Sequence, residues 1–295
     1  MIAAIEEALS ASKLVAIVGP TASGKTELAA EIAAECGGEI VNVDSVQVYR
    51  RFEIGSGKPS DDERRAAKHH LISILDPLDA IDAARFATLA DAAIADVRQR
   101  GKVPIVCGGT FLWVKALLQG LVVAPPASEP IRERHRAIAE TQGRAALHEL
   151  LQKVDPEAAA RLHPNDALRV SRALEVFEQS GEKLSAMQAS HAFQFPRYDF
   201  ALFARAHEPG ALTERIERRA RIWLENGWID EVRALMLDGF ADARAMASVG
   251  YREVAAHVRG EVPRDGLLEL VVRSTRVFAR RQRTWLNHEP VTWLP

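Results

Sequence analysis

Residues 19 to 26 read Gly19-Pro20-Thr21-Ala22-Ser23-Gly24-Lys25-Thr26 and fit the pattern G-x-x-x-x-G-K-[ST]. The run before them, KLVAIV (13 to 18), is short and apolar, as a buried strand would be. The run after them, TELAAEIAAEC (26 to 36), is helix-forming and ends at the stop signal Gly37-Gly38. Strand, glycine loop and helix form the context that separates a phosphate loop from a chance match. Backbone N–H groups then point into the loop, and the helix N-terminus adds partial positive charge. Lys25 brings a full charge, and the Thr26 hydroxyl is suited to a magnesium ion that bridges phosphate oxygens.

The loop commits the first 120 residues to an α/β fold. After KLVAIV come further strand-like runs, GEIVNVD (38 to 44) and KVPIVCGGT (102 to 110), with the helical pattern AARFATLADAAIADVRQRG (83 to 101) before the latter. Such alternation predicts a P-loop NTPase-like parallel sheet flanked by helices. The pattern changes after Leu121. VVAPPASEP (122 to 130) reads as a linker, and the chain from 131 to about 190 is helical in pattern with no strong strand. The expected division is a catalytic core of 1–121 plus 199–295, with an inserted all-helical domain at 122–198. In FQFPRYDFALFARA (193 to 206), FALFA fits one more strand of the sheet, and 211 to 289 is mostly helical.

Composition narrows the function classes. With 47% apolar and 26% charged residues and a net charge of −2, the chain reads as an ordinary soluble protein. Its two cysteines, Cys36 and Cys107, have no metal-ligand spacing and form no disulfide framework. The start of the chain carries Glu6 and Glu7 where a secretion signal would be apolar, and no apolar run reaches membrane-spanning length. These features predict a cytoplasmic protein with no membrane contact, and a monomer by default.

Triphosphatases usually show an apolar strand ending in an acidic magnesium ligand. Here KVPIVCGGT ends in glycines and Thr110, and LISILDP (71 to 77) is equally an Asp-Pro turn. The loop therefore indicates a di- or triphosphate without indicating hydrolysis. Asp44 ends the second strand-like run, where it can share a crevice with the loop if the two strands are neighbours. It would then be a base or a metal ligand; the alternative is a turn cap. Arginines recur in patches. RSTRVFARRQR (273 to 283) sets Arg273, Arg276 and Arg280 on one helix face, and ERIERRAR (214 to 221) and DALRVSRAL add more. Separate arginine patches on a nearly neutral chain suit a long polyanion such as RNA, or else solvated faces paired with Glu214, Glu217 and Glu269. His69-His70, His163, Trp113, Trp223 and Trp285 are most simply structural.

Taken in order, the blocks GPTASGKTELA, VDSVQVYR, IGSGKP, HHLISILDP, VPIVCGGTFLWVKALLQGL, DPEAAARLHPND, RVSRALEVFEQSG, RIERR, SVGYRE and TRVFARRQRTWL resemble the bacterial tRNA dimethylallyltransferase family over almost the whole chain. The resemblance implies transfer of the dimethylallyl group of dimethylallyl diphosphate to N6 of adenine 37, beside the anticodon, in tRNAs reading codons that start with U. Magnesium would assist and pyrophosphate would leave. It also implies Asp44 as general base, with Gly19 to Thr26 and Arg219 holding the diphosphate. Asp44, Ser45, Val46 and Gln47 would meet the target nucleotide. Thr110, Arg132, Leu168, Arg169, Val170, Ser171 and Arg172 would contact the tRNA, and the arginine reading adds Arg276 and Arg280. Departures from the family pattern are Glu53 before Ile54-Gly55, Gly57 where alanine is usual, and Leu286-Asn287 at the end of the last block. The zinc finger of eukaryotic relatives is absent. Two other readings share the loop: a nucleoside or nucleotide kinase, which would need ATP and a small acceptor, and a non-catalytic RNA-binding protein, which would tolerate loss of Asp44.

Overall fold

The computed structural model describes residues 2–191, 196–208 and 210–295. Residues 193–195 of the aromatic stretch before the last expected strand lie outside the described residues. The chain divides into two compact units, Met1–Leu118 with Arg197–Pro295, and Gln119–Pro196.

The larger unit is built on six parallel strands: β1 (Leu14–Val18), β2 (Glu39–Val43), β3 (His69–His70), β4 (Pro104–Gly108), β5 (Phe200–Arg205) and β6 (Val291–Leu294). Their order across the sheet is β3-β2-β4-β1-β5-β6. Parallel strands need helical crossovers that cover both faces, so β1, β2 and β4 are buried at every position. This is why β1 and β4 read as apolar runs without alternation, while β2 buries Glu39 and Asn42 along with its apolar residues. Under the sheet, Val15, Ile17, Ile40, Ile105 and Phe203 pack with Leu28 and Ile32 of the loop's helix, Lys25–Cys36. The short β3 and β6 have too few residues to give a pattern of their own. Pairing alone makes them strands: Ile40 and Val41 align with His69 and His70, and Leu202 to Arg205 with Val291 to Leu294. LISILDP is a loop. Its Leu75 forms one isolated bridge with Tyr49, and its Asp76 binds Arg50.

β4 lies between β1 and β2, so β2 does not neighbour the loop strand as the simplest arrangement required. Asp44 nonetheless opens onto the same carboxyl edge, because a parallel sheet brings all its strand ends to one side.

The smaller unit is helical, with helices Glu129–Thr141, Arg144–Val154, Pro156–Arg161, Ala167–Ser180 and Leu184–His191. Leu147, Leu151, Ala158, Ala173 and Leu174 form its core. The fully buried Asp155 ties the short helices together. Its carboxylate accepts from Ala158 N at 3.0 Å, Ser185 N at 3.0 Å and the Ser185 hydroxyl at 2.6 Å.

Candidate active site

Two glycines make the phosphate loop possible. A Cβ on Gly19 would lie 2.5 Å from Ser23 Oγ, and Gly24 turns the chain into the helix at φ +76°. The loop is then held from four sides. Gln282, on the helix Arg264–Leu286, accepts from Thr21 N at 2.9 Å and donates to Gly109 O at 2.8 Å, joining the loop to the end of β4. Arg215 Nε donates to Ala22 O at 2.9 Å, His207 Nε2 lies 3.0 Å from Ser23 O, and Arg219 donates to the Thr21 hydroxyl. Arg219 also lies over the ring of Trp223, 4.5 Å from its centroid.

Gln282 and Arg219 also line a cavity of about 570 Å³ at the carboxyl edge, together with Thr21, Lys25, Thr26, Asp44 and Thr110. Burial pulls the Lys25 pKa down, with Asp44 opposing the shift. Burial also brings Arg219 down to about 10, again opposed by Asp44, so its guanidinium stays charged at neutral pH. Both cations are placed in surroundings that disfavour charge until an anion arrives.

Asp44 Oδ1 accepts from Val46 N at 2.8 Å and Gln47 N at 3.1 Å. The turn-cap reading and the functional reading therefore describe one residue: the cap fixes the carboxylate where it faces the cavity. Ser45 N donates to Thr110 Oγ1 at 3.0 Å, tying this turn to the end of β4. Gln47 is buried and donates to Ser56 O at 3.1 Å and Gly57 O at 2.8 Å. It locks the IGSGKP loop in place. Gly57 there has φ +64°, and a Cβ would sit 3.2 Å from Trp223, so glycine relieves backbone strain at this departure from the family pattern.

The far wall is apolar, with Leu112, Trp113, Ile216, Trp223, Val271 and Phe278. Trp223 therefore belongs to the site rather than to the core. Trp228 packs behind it, edge-on with ring centroids 5.4 Å apart. A Cβ on Gly55 would collide with the Trp228 indole at 2.1 Å. Glu231 accepts from Ile54 N at 2.7 Å and from the Tyr251 hydroxyl at 2.6 Å, which fixes this loop from the opposite side.

Among the described residues no group of three or more acidic, histidine or cysteine side chains could hold a metal by itself. The donor set does fit magnesium, which binds through one or two protein oxygens and completes its shell with substrate phosphates and water. The Thr26 hydroxyl and the cavity's one carboxylate, Asp44, are both in its lining.

The remaining expected residues lie elsewhere. Arg276 and Arg280 are exposed on the C-terminal helix. In the smaller unit Leu168 and Arg169 are exposed. Arg132 and Arg172 both bind the buried Glu175, with Arg132 Nε at 3.1 Å and Arg172 Nη1 at 2.6 Å. Ser171 bonds His135 at 2.9 Å. Val170 is fully buried in that unit's core and offers no surface, a correction to the contact set. Sequence reasoning missed Gln282, Trp223, Trp228 and Glu231. A glutamine at a buried position within RRQR is the only trace of Gln282 a reader could have found, since its neighbours are all exposed arginines.

A phosphate loop and a capped carboxylate thus line one apolar-walled crevice. The chain matches the IPP transferase family over residues 47–289. It is 58% identical to the tRNA dimethylallyltransferase of Sorangium cellulosum, an alignment that covers 96% of this chain and 90% of the relative. The tRNA dimethylallyltransferase of Anaeromyxobacter dehalogenans is 48% identical, with coverage of 96% and 94%. Among solved structures, the tRNA isopentenylpyrophosphate transferase of Bacillus halodurans superimposes with a TM-score of 0.70 at 36% identity, covering 96% of this chain and 89% of that one. A eukaryotic dimethylallyltransferase acting on tRNA gives a TM-score of 0.77 at 28% identity, covering 93% and 69%. The chain belongs to the IPP transferase family, and it is a transferase.

Proposed function

We propose that this enzyme moves the dimethylallyl group of dimethylallyl diphosphate to N6 of adenine 37 in tRNAs that read codons starting with U. The carrying observation is that Asp44, the phosphate loop and Arg219 line one cavity with an apolar wall. The diphosphate binds to the loop amides, Lys25 and Arg219, and the prenyl group lies against Trp223 and its apolar neighbours. Thr26 would help hold magnesium beside the substrate phosphates, where the ion would supply further charge neutralisation.

An adenine amino group is a weak nucleophile because its lone pair is delocalised into the ring. Asp44 takes a proton from N6 as the C–N bond forms and the C–O bond to pyrophosphate breaks. Such help is worth roughly 10²–10⁴ in rate. Lys25, Arg219 and the loop amides meet the charge that builds on the departing pyrophosphate, which is where preorganised donors contribute most. The loop thus holds a leaving group and not a fuel. The adenine must be flipped out of its stack, at a cost of about a few kcal/mol. Arg132, Leu168, Arg169 and Arg172 of the smaller unit, with Arg276 and Arg280, grip the anticodon stem and loop. Their separated patches favour RNA over the small acceptor of a kinase.

The test mixes purified protein, labelled dimethylallyl diphosphate, magnesium and unmodified tRNA with adenine at position 37. Label is expected in the RNA without ATP. No label in the RNA, with phosphate moved from ATP to a nucleoside instead, would make this a kinase. A tRNA with guanine at position 37 should accept nothing.

A further inference from the structure

A second cavity, of about 410 Å³, opens on the other side of the phosphate loop. Pro20 lines it while the next residue, Thr21, lines the first cavity, and Ile216 faces both. The C-terminal helix forms the partition. Its Thr275, Phe278 and Gln282 face the first cavity, and its Arg276, Ala279, Arg280 and Arg283, about a third of a turn round, face the second.

The lining of this second cavity is unlike that of the first. Arg205, at the end of β5, joins the three helix arginines, and Trp293 of β6, a residue 44% exposed, also lines it. Arg205 lies 3.7 Å from Glu27, but among the described residues no hydrogen bond or ion pair engages the guanidinium of Arg276, Arg280 or Arg283. Three unpaired planar forks suit phosphate, to which each can donate two hydrogen bonds. An open indole beside them suits the face of a nucleobase. Glu208, the one acidic lining residue, repels a bare anion but can accept from a ribose hydroxyl or an exocyclic amine. The volume falls in the range of small-ligand sites and matches a single nucleotide better than a bare phosphate.

We infer that this cavity receives one nucleotide of the RNA substrate, its base on Trp293 and its phosphate among Arg276, Arg280 and Arg283. This inference rests on the proposed RNA substrate. It adds that the strand delivering the target adenine to the first cavity crosses the C-terminal helix and docks a second nucleotide beyond it. Two pockets on either side of one helix fix the register of the flipped base, because a strand anchored at one can offer only certain positions to the other.

The test measures binding of an unmodified anticodon stem-loop to the full chain by fluorescence anisotropy over a series of salt concentrations. Trp293→Ala should weaken binding about five- to 150-fold with an unchanged salt slope, since base stacking involves no counterions. Trp293→Phe should restore most of that loss. Arg283→Ala should weaken binding and lower the slope by about one. Pyrophosphate affinity, read in parallel, should be unchanged in all three and reports that the fold and first cavity are intact. Trp293→Ala within twofold of wild type would overturn the inference while leaving the proposed function standing. Binding of adenosine monophosphate that depends on Trp293, with RNA affinity unaltered, would also overturn it by assigning the site to a free nucleotide. If the wild-type chain bound no RNA at all, the functional reading itself would fail, and this inference with it.

Discussion

β2 carries a carboxylate at each end, and the two are treated in opposite ways. Glu39, at the amino end, is 3% exposed and surrounded by cations. Arg100 Nη2 and His70 Nε2 lie 2.7 and 2.6 Å from Glu39 Oε2, with Lys102 at 3.6 Å and Lys68 at 3.9 Å from the carboxylate. The Arg100 hydrogen bonds hold its pKa down at about 2. Asp44, just past the carboxyl end, accepts only backbone N–H groups and forms no ion pair among the described residues. Lys25 and Arg219 beside it likewise have no ion-pair partner within reach. A half-buried charge without a partner is disfavoured, so a site that leaves several is arranged for a ligand that supplies the missing charge. One edge of the sheet is neutralised within the chain and supports the fold; the other awaits an anion.

Breaking the open edge should produce the largest effects. Asp44→Asn is expected to lower kcat by roughly 10²–10⁴ with tRNA affinity within threefold of wild type, read by single-turnover transfer and by anisotropy. Comparable loss of both would remove its role as base. Arg219→Ala should lower kcat by about 10²–10³ and weaken pyrophosphate binding, because it removes a donor to the leaving group. An Arg219→Ala enzyme with normal kcat would mean that the diphosphate lies elsewhere in the cavity.

At the closed edge the prediction is one of stability without chemistry. Glu39→Gln should cost about 1–3 kcal/mol in urea unfolding by leaving buried donors poorly matched, with kcat unchanged. The pH dependence sharpens the contrast. The Glu39 carboxyl is held near 2 in the fold against an ordinary 4.5. Its contribution is therefore complete above about 4.5 and is lost as pH falls from there towards 2. Glu39→Gln should accordingly flatten the acid side of the stability profile. The smallest effect expected is from Arg276→Ala with Arg280→Ala, which should weaken RNA binding modestly and lower its salt slope by about two. An unchanged slope would return both arginines to the solvated surface.

Sequence alone reached furthest where the physics is local. Eight consecutive residues, a preceding apolar run and a following helix suffice for the phosphate loop, because its amides and helix end are covalently close. The apolar runs of β1 and β4, with strand-like GEIVNVD between them, announced a covered parallel sheet for the same reason, and the change of pattern after Leu121 announced helices. Long-range partners were out of reach. Gln282 meets Thr21 across 261 residues, and Arg219 meets it across 198. β3 and β6 exist only because neighbouring strands pair with them, and β4 enters between β1 and β2 by topology that no local pattern encodes. Trp223 and Val170 show the limit most plainly. Each has an apolar side chain that could serve a core or a site, and the sequence assigned the first to the core and the second to a surface. Tertiary packing reversed both, because burial is a property of where a helix face points once its neighbours are in place.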